Sequence, residues 1–316
     1  MRKIIELAVN SRRLRRAIKT KYMNLLTDFG LKSIFKVEEL AVAFLNDVLN
    51  GQLNIKKVTY LDKEVNGKSK YHRTAIFDLL CQDDQNREFI IEIQRIKQEF
   101  FIDRSIFYTS ARIQENAPKG KQAMTEWDFE QKPIIFIGLL DFELPHSKPG
   151  KFKTIGQICD IEDKTVLFNK LTYIYLELPK FEKASLTSSL DELTNLGKWL
   201  YTFKNLHNFE QLPEFLNEGQ FHKILEIAEV ANMTAAQRQE YERSLKQLRN
   251  DYANRTTAFK EGKEEGQEEG QEKKQVEMVK ILLLKGILSP TEIAEVFNLE
   301  EAYVNSIKDN LAKAKK

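Results

Sequence analysis

The sequence is poor in the residues that build disulfide frameworks and zinc sites. Of its 316 residues only two are cysteines, Cys81 and Cys159, and they lie far apart in unrelated contexts. The four histidines are scattered without the short spacings that zinc ligands show. We therefore expect a protein of the reducing cytoplasm, with neither a disulfide framework nor a zinc ribbon.

Long apolar runs are also missing. No stretch reaches the length of about 18 apolar residues that a membrane-spanning helix needs, so neither a membrane span nor a membrane partner is expected. The N-terminus does not resemble a secretion signal, because the positive charges mostly follow the apolar stretch at residues 4–9. With 42% hydrophobic residues the composition is that of a globular protein, long enough for two compact units.

Positive and negative charges nearly balance over the whole chain but not locally. The net charge is +2, yet residues 1–24 hold eight basic side chains and a single acid, Glu6. A basic arm at residues 1–20 fits contact with the phosphate backbone of a nucleic acid. A terminus without a role fits equally well, and both readings stay open.

Two neighbouring segments carry charges where a buried strand would be apolar. Residues 74–81 and 88–94 are rich in β-branched and aromatic side chains and flank a polar turn, which predicts a β-hairpin. Asp78 interrupts the first segment, and Glu92 and Gln94 interrupt the second. Because side chains alternate across a strand, Glu92 and Gln94 share one face.

The loop length of this hairpin decides whether the two acids meet. A three-residue loop at 84–86 sets Asp83 opposite Arg87 and Asp78 opposite Glu92, which brings both carboxylates onto one face. Two carboxylates about 5 Å apart repel, so this register favours a site for a cation. A two-residue loop would separate the acids onto opposite faces and leave them facing solvent. The hairpin alone allows both outcomes.

Periodicity predicts a mixed α/β core followed by helices. Apolar spacings of three and four predict helices at residues 37–49 and 98–115. Apolar or alternating segments predict strands at residues 55–61, 133–141 and 171–178, the second of them buried on both faces. Polar segments predict a loop at residues 63–71 and another through Pro145 and Pro149. From residue 189 onward the pattern is helical, so we expect an α/β domain with a helical annex.

The C-terminal part contains a four-residue repeat and a small group of helices. Residues 260–270 repeat glutamate and glycine, which predicts a solvated linker helix. Ser289 and Glu292 stand in the positions of a capping box, with Pro290 at the first helical position. Two short helices that meet at residues 298–299 then resemble a helix-turn-helix. Such a unit serves DNA contact, protein interaction or packing, and the sequence leaves these alternatives open.

Several motifs together resemble the recombination-promoting nuclease/putative transposase family of the PD-(D/E)xK superfamily. They are Thr27-Asp28-Phe29-Gly30, Phe77-Asp78 with Glu92-Ile93-Gln94, Asp103-Arg104-Ser105 with Tyr108, Glu177-Leu178-Pro179-Lys180-Phe181 and the glutamate-glycine repeat. The resemblance runs from about residue 21 to the repeat.

The resemblance implies both a fold and an activity. The fold is a restriction-endonuclease-like, mixed four-stranded central sheet flanked by helices, here with an all-helical C-terminal extension. The activity is that of a Mg²⁺-dependent DNA endonuclease linked to mobile elements or recombination, with Mn²⁺ as a substitute ion. DNA is the implied partner.

The resemblance also assigns roles to individual residues. Asp78 and Glu92 become the metal ligands, and Gln94 takes the place of the usual catalytic lysine. The proline of the family motif is absent, since Phe77 precedes Asp78. A neutral amide orients water but adds no positive charge, so we expect a nearby cation to compensate, first Arg104.

Further residues complete the expected site. Lys97 is the second candidate for the compensating cation, and Tyr108 shares a helix side with Arg104 and is expected to support the phosphate. A third acidic ligand is expected from Glu64 or Glu39, with Glu38 and Asp47 as further candidates.

The expected organisation has five segments. They are a basic arm at 1–20, a nuclease-like core at 21–185, a helical annex at 186–258, a linker helix at 259–275 and a small helical tail at 276–316. Two readings compete with a nuclease. One is a weak or inactive nuclease-like module that binds DNA or assembles through its tail, and the other is a scaffold that forms homo-oligomers through the C-terminal helices.

Overall fold

The computed structural model describes residues 20–62, 64–65, 75–118, 129–185 and 189–313. The chain divides between Arg249 and Asn250 into two compact units. In the described part, no helix is both long enough and apolar enough to span a membrane.

The described residues form eight strands, which are β1 (Val58–Tyr60), β2 (Glu64–Val65), β3 (Ala75–Ile76), β4 (Leu79–Asp83), β5 (Glu88–Gln94), β6 (Ile134–Leu140), β7 (Lys153–Cys159) and β8 (Val166–Glu177). Six of them form one mixed sheet in the order β1-β4-β5-β6-β8-β7, and β2 pairs with β3 separately. The three central strands β5, β6 and β8 run parallel, and the other neighbours are antiparallel. The α/β class and the mixed sheet are confirmed, but the expected count of four strands is wrong.

The described α-helices are α1 (Asp28–Phe35), α2 (Glu38–Leu49), α3 (Phe101–Asn116), α4 (Leu178–Ser185), α5 (Asn195–Asn205), α6 (Gly219–Ala228), α7 (Ala235–Lys285), α8 (Pro290–Phe297) and α9 (Glu301–Lys313). Helices α2 and α3 confirm the two helices that periodicity predicts. Strand β6 is buried along its whole length, as its unbroken apolar sequence predicts for a central strand.

One predicted loop and one predicted strand differ from the observed elements, and one strand was not predicted. The loop through Pro145 and Pro149 is confirmed. It leads into the unpredicted β7, an edge strand whose register shifts after Gly156 blur the alternation that would have predicted it. The loop predicted at 63–71 contains β2. The strand predicted at 74–81 is split into β3 and β4, because the Asp78 amide bonds to a side chain instead of a neighbouring strand.

The main sheet carries an apolar cluster on each face. Phe89 and Ile91 of β5 belong to a large cluster that includes side chains of α1, α2, α5 and α6. The intervening Ile90 belongs to the other cluster, together with Phe101 of α3 and Phe136 of β6. The alternation of β5 therefore assigns its even-numbered residues to the α3 face.

The smaller unit has an apolar cluster of its own, which includes Val279, Ile293 and Val304. The predicted capping box at Ser289 is confirmed, because the serine side chain and Glu292 exchange hydrogen bonds with each other's backbone amides. The helix α8 ends at Asn298 in the left-handed region. The five-segment division and self-association through these helices stay predictions.

Candidate active site

The hairpin of β4 and β5 has the register that unites the two acids. Leu80 pairs with Ile90 and Gln82 with Glu88, so the three-residue loop is confirmed and Asp78 stands opposite Glu92. Two features of the turn support this loop. Asn86 adopts the left-handed conformation that asparagine tolerates, and the Asp83 carboxylate accepts hydrogen bonds from the amides of Gln85 and Arg87.

The carboxylates of Asp78 and Glu92 cross between the two strands. The Asp78 amide donates to Glu92 Oε1 at 2.8 Å, and the Ile93 amide donates to Asp78 Oδ2 at 2.8 Å. Glu92 is only 4% exposed. Backbone amides therefore hold the two acids on one side of the sheet, and these hydrogen bonds restrict the side-chain rotamers of both.

Both carboxyl groups resist ionisation in this place. Burial, and after it the negative charge of Asp78, raise the pKa of Glu92 from 4.5 to about 8. Burial also raises the pKa of Asp78, although the hydrogen bond from Ile93 opposes this. The positive charges of Arg104 and Lys32 lower the pKa of both groups. Added positive charge is therefore what this pair needs to ionise fully.

Gln94 and Arg104 stand together beside the acids. Arg104 Nη2 donates to Gln94 Oε1 at 2.6 Å and lies 3.9 Å from Glu92 Oε2. The Gln94 amide is fixed at its other end by a hydrogen bond from Nε2 to the Ile96 carbonyl. The expected compensating cation, Arg104, thus adjoins the glutamine that replaces the lysine, whereas Lys97 has an exposed side chain.

Tyr108 lies one turn further along α3. Its ring contacts Phe77 edge to face, with centroids 5.4 Å apart, and the Arg104 guanidinium lies 5.6 Å from its ring centroid. Burial, and then the negative charge of Glu92, raise the pKa of the Tyr108 hydroxyl. The phenol therefore stays protonated and is a hydrogen-bond donor near the acids.

A buried ion pair fixes α3 to β5. Arg112 donates from Nε and Nη2 to the two oxygens of Glu88 at 2.7 and 2.9 Å, and Asn116 adds a third hydrogen bond to the same carboxylate. Glu88 is completely buried. Since Arg104 and Arg112 lie eight residues apart, they share the helix side that faces β5, so this pair positions Arg104.

The predicted third acids are not beside the pair where their side chains are described. Glu39 has an exposed side chain that pairs with Lys223 of α6. Glu38 accepts from the Val58 amide, and Asp47 accepts from the Trp199 indole. Each of these three carboxylates is thus already engaged by a partner on another element. The side chain of Glu64 lies outside the described residues.

Helix α1 brings another acid close to the site. The negative charge of Asp28 raises the pKa of Asp78, and Lys32, which pairs with Asp28 at 2.5 Å, lowers it. Thr27 caps this helix by accepting from the Gly30 amide at 3.0 Å. The signal in the sequence was the acid inside the motif at 27–30.

The donor set suits a hard divalent cation. Within the described residues no group of three or more His, Cys, Asp and Glu side chains converges, so Asp78 and Glu92 are the protein's own acidic donors here. Mg²⁺ is commonly held by one or two carboxylates and completes its shell with water and substrate phosphates. Each carboxylate accepts one backbone N–H and has further lone pairs to offer. The residues present therefore fit such an ion.

Comparison with known families decides the relationship. Residues 25–258 match the model of the PD-(D/E)XK nuclease family transposases. The chain belongs to this family. Among curated proteins and solved structures, none matches the chain.

The matched region includes the hairpin with the two acids. It contains β1 to β8 together with α1 to α6, and therefore Asp78, between β3 and β4, and Glu92 on β5. Family membership indicates a nuclease linked to mobile elements. The C-terminal unit lies outside the matched region except for its first nine residues.

Proposed function

We propose that this PD-(D/E)XK family protein is a metal-dependent DNA endonuclease that hydrolyses phosphodiester bonds in mobile-element or recombination processes. The observation that carries the proposal is the convergence of the buried Glu92 carboxylate and the half-buried Asp78 carboxylate beside the Arg104 guanidinium. A pair of acids with raised pKa values is costly for folding alone, which supports a functional reason for it.

Asp78 and Glu92 would hold Mg²⁺, with Mn²⁺ as a substitute. When bound, the ion supplies a Lewis acid for the phosphoryl oxygen and lowers the pKa of a coordinated water. The charge of Asp28 on α1 acts on Asp78, but Asp28 is paired with Lys32 and does not join the two acids in a three-ligand group, so we assign it no ligand role.

The remaining residues of the site act on the phosphate and on each other. Arg104 supplies the positive charge that the family's lysine would carry, and its planar donors suit phosphate oxygens. Gln94 holds that guanidinium through its Oε1 and so acts as a positioning residue. Tyr108 supports the same guanidinium through its ring and offers a protonated hydroxyl near the acids.

Nicking of a supercoiled plasmid tests the proposal. We expect the full-length protein to cut with Mg²⁺ or Mn²⁺ and not with EDTA, and Asp78→Ala and Glu92→Gln to abolish cutting. Glu39→Ala is the matched control, because the exposed Glu39 pairs with Lys223 away from the acids. Cleavage that survives in Asp78→Ala would overturn the assignment.

The same assay separates the competing reading. A wild-type protein that shifts DNA in a gel yet leaves it intact with every divalent ion would be a binding module with a nuclease-like fold. In that case the pair of acids serves folding or ion binding only, and Asp78→Ala would leave the gel shift unchanged.

A further inference from the structure

One side of helix α3 presents two exposed phenylalanines on either side of the active-site arginine. Phe100 caps the helix and is 68% exposed, and Phe107 is 44% exposed. Arg104 follows Phe100 by four residues and precedes Phe107 by three. These spacings place the three side chains on one side of the helix. We call these three residues the aromatic stripe.

Ile102 and Ile106 of α3 are exposed as well, so what distinguishes the two phenylalanines is their position on either side of Arg104. Phe101, Ser105 and Thr109 form the buried side of the helix, where Ser105 and Thr109 bond to the hydroxyls of Tyr175 and Tyr173. The phenylalanines of the stripe lie outside the apolar clusters of the sheet. Packing of the described core therefore does not account for them.

The aromatic stripe is continuous with the candidate active site. The Phe107 ring contacts Tyr108 with centroids 6.2 Å apart, and Tyr108 contacts Phe77, the residue before Asp78. Arg104, inside the stripe, contacts Gln94 and approaches Glu92. A series of rings thus leads from the surface to the carboxylates, with a cation in its middle.

This combination has the chemistry of a single-strand binding surface. Nucleobases stack on exposed aromatic rings, and a neighbouring cation holds the phosphate that links them. In a duplex the bases are stacked on each other and offer no free face, so a ring platform selects unpaired bases. Phe100 and Phe107 are about 10 Å apart along the helix axis, far enough to serve two different bases.

We propose that Phe100 and Phe107 form a stacking platform for unpaired nucleobases, so that the preferred substrate is single-stranded DNA or DNA with locally unpaired bases. The proposal rests on the proposed endonuclease function and names its substrate class. Arg104 between the two rings directs the adjoining phosphate to Asp78 and Glu92.

Binding of labelled oligonucleotides to the full-length protein tests the platform. The assay is fluorescence anisotropy in EDTA, which prevents cleavage, with one 20-nucleotide sequence as a single strand and as a blunt duplex. Phe107→Leu and Phe100→Leu keep an apolar side chain but lose the ring. Phe107→Trp keeps a ring, and Ile106→Leu alters an exposed apolar neighbour outside the stripe.

We expect each leucine variant to bind the single strand about 10-fold more weakly, in line with the usual contribution of a stacked base. Duplex binding should change less than about twofold, because paired bases do not reach the rings. Phe107→Trp should retain tight binding, and Ile106→Leu should match the wild type. A single strand carrying 2-aminopurine should show a fluorescence change with the wild type that Phe107→Leu lacks.

Three results would overturn the platform. The first is unchanged single-strand binding in both leucine variants, and the second is an equal loss of binding to the single strand and to the duplex. The third is a molecular mass in light scattering that differs between the leucine variants and the wild type, which would make the stripe a contact between protein copies.

These outcomes are distinct from failure of the nuclease proposal. If Asp78→Ala abolishes nicking while Phe107→Leu binds normally, only the platform fails. If no form cleaves but the leucine variants lose single-strand binding, only the nuclease proposal fails.

Discussion

The Arg104 guanidinium donates to Gln94 Oε1 at 2.6 Å, so the cation of this site stands on a helix and is aimed by the residue that occupies the lysine position. A lysine on β5 would carry the charge on the sheet itself. Here the strand contributes a neutral amide, and α3 contributes the charge 3.9 Å from Glu92. Where Gln94 replaces the lysine, the positive charge of the site therefore comes from Arg104 on α3 and not from strand β5.

Removing this charge should weaken cleavage strongly. Arg104→Gln retains hydrogen bonding but lacks the positive charge, and we expect the cleavage rate to fall about 100-fold, the usual loss when one stabilising donor is removed. Lys97→Gln, at an exposed position, is the control and should stay near the wild-type rate. Nicking kinetics at saturating Mg²⁺ provide the measurement. Equal losses in the two variants would transfer the role to Lys97 or to overall charge.

The raised pKa values predict how stability depends on pH in the metal-free protein. Glu92 titrates at about 8 in the folded chain and at an ordinary 4.5 when unfolded, so the folded state binds more protons between these values. Its contribution to stability is present below about 4.5 and is lost as the pH rises through about 8. We expect the free energy of unfolding of the wild type to fall across this range relative to Glu92→Gln, measured by urea denaturation in EDTA.

Mg²⁺ should reverse this trend. Because ligand carboxylates must be deprotonated, ion binding should release protons and tighten as the pH rises to about 8. Calorimetric titration at pH 6, 7 and 8 in two buffers of different ionisation enthalpy measures both effects. Parallel stability curves for wild type and Glu92→Gln, together with proton-independent ion binding, would show that the pair is ionised already without a cation.

The hairpin illustrates what sequence alone could and could not predict. The sequence predicted the hairpin but left its loop length open between two and three residues. In the structure the Asp83 carboxylate accepts from the amides of Gln85 and Arg87 and holds the three-residue loop, which brings Asp78 opposite Glu92. The position of Asp28 depends on packing between α1 and the sheet, which no local pattern encodes. Strand β7 escaped prediction for a related reason, since an edge strand with register shifts lacks a clear alternation.

The Glu88–Arg112 pair was also invisible in sequence, since it joins residues of two elements across a sheet face. Breaking it should destabilise the protein. Arg112→Met leaves the fully buried Glu88 without its two guanidinium bonds, and we expect a loss of about 3 kcal/mol in the free energy of unfolding. Glu88→Leu combined with Arg112→Met should recover much of this loss, because two apolar side chains need no partner.

Urea denaturation of the single and double variants measures the coupling. The cleavage rate supplies a second readout, since the pair positions α3 and hence Arg104. We expect the double variant to be well folded yet slower than the wild type. A double variant as unstable as Arg112→Met would mean that packing volume, and not charge pairing, governs this position.

Gly30 should tolerate no side chain, because α1 passes very close to the chain before it. A Cβ there would lie 2.4 Å from the Asn24 carbonyl oxygen and 2.8 Å from Leu25 Cα, and neither backbone atom can rotate away. We expect Gly30→Ala to lower the free energy of unfolding by about 1–3 kcal/mol and to shift α1, with Asp28, relative to Asp78. Gly262→Ala is the control, because a Cβ at this helical glycine meets nothing within 4 Å. We expect it to raise the free energy of unfolding by about 1 kcal/mol through the higher helix propensity of alanine. Thermal unfolding compares the stability of the two variants. If nicking depends less on Mg²⁺ in Gly30→Ala and not in Gly262→Ala, the glycine of the motif at 27–30 fixes the position of Asp28.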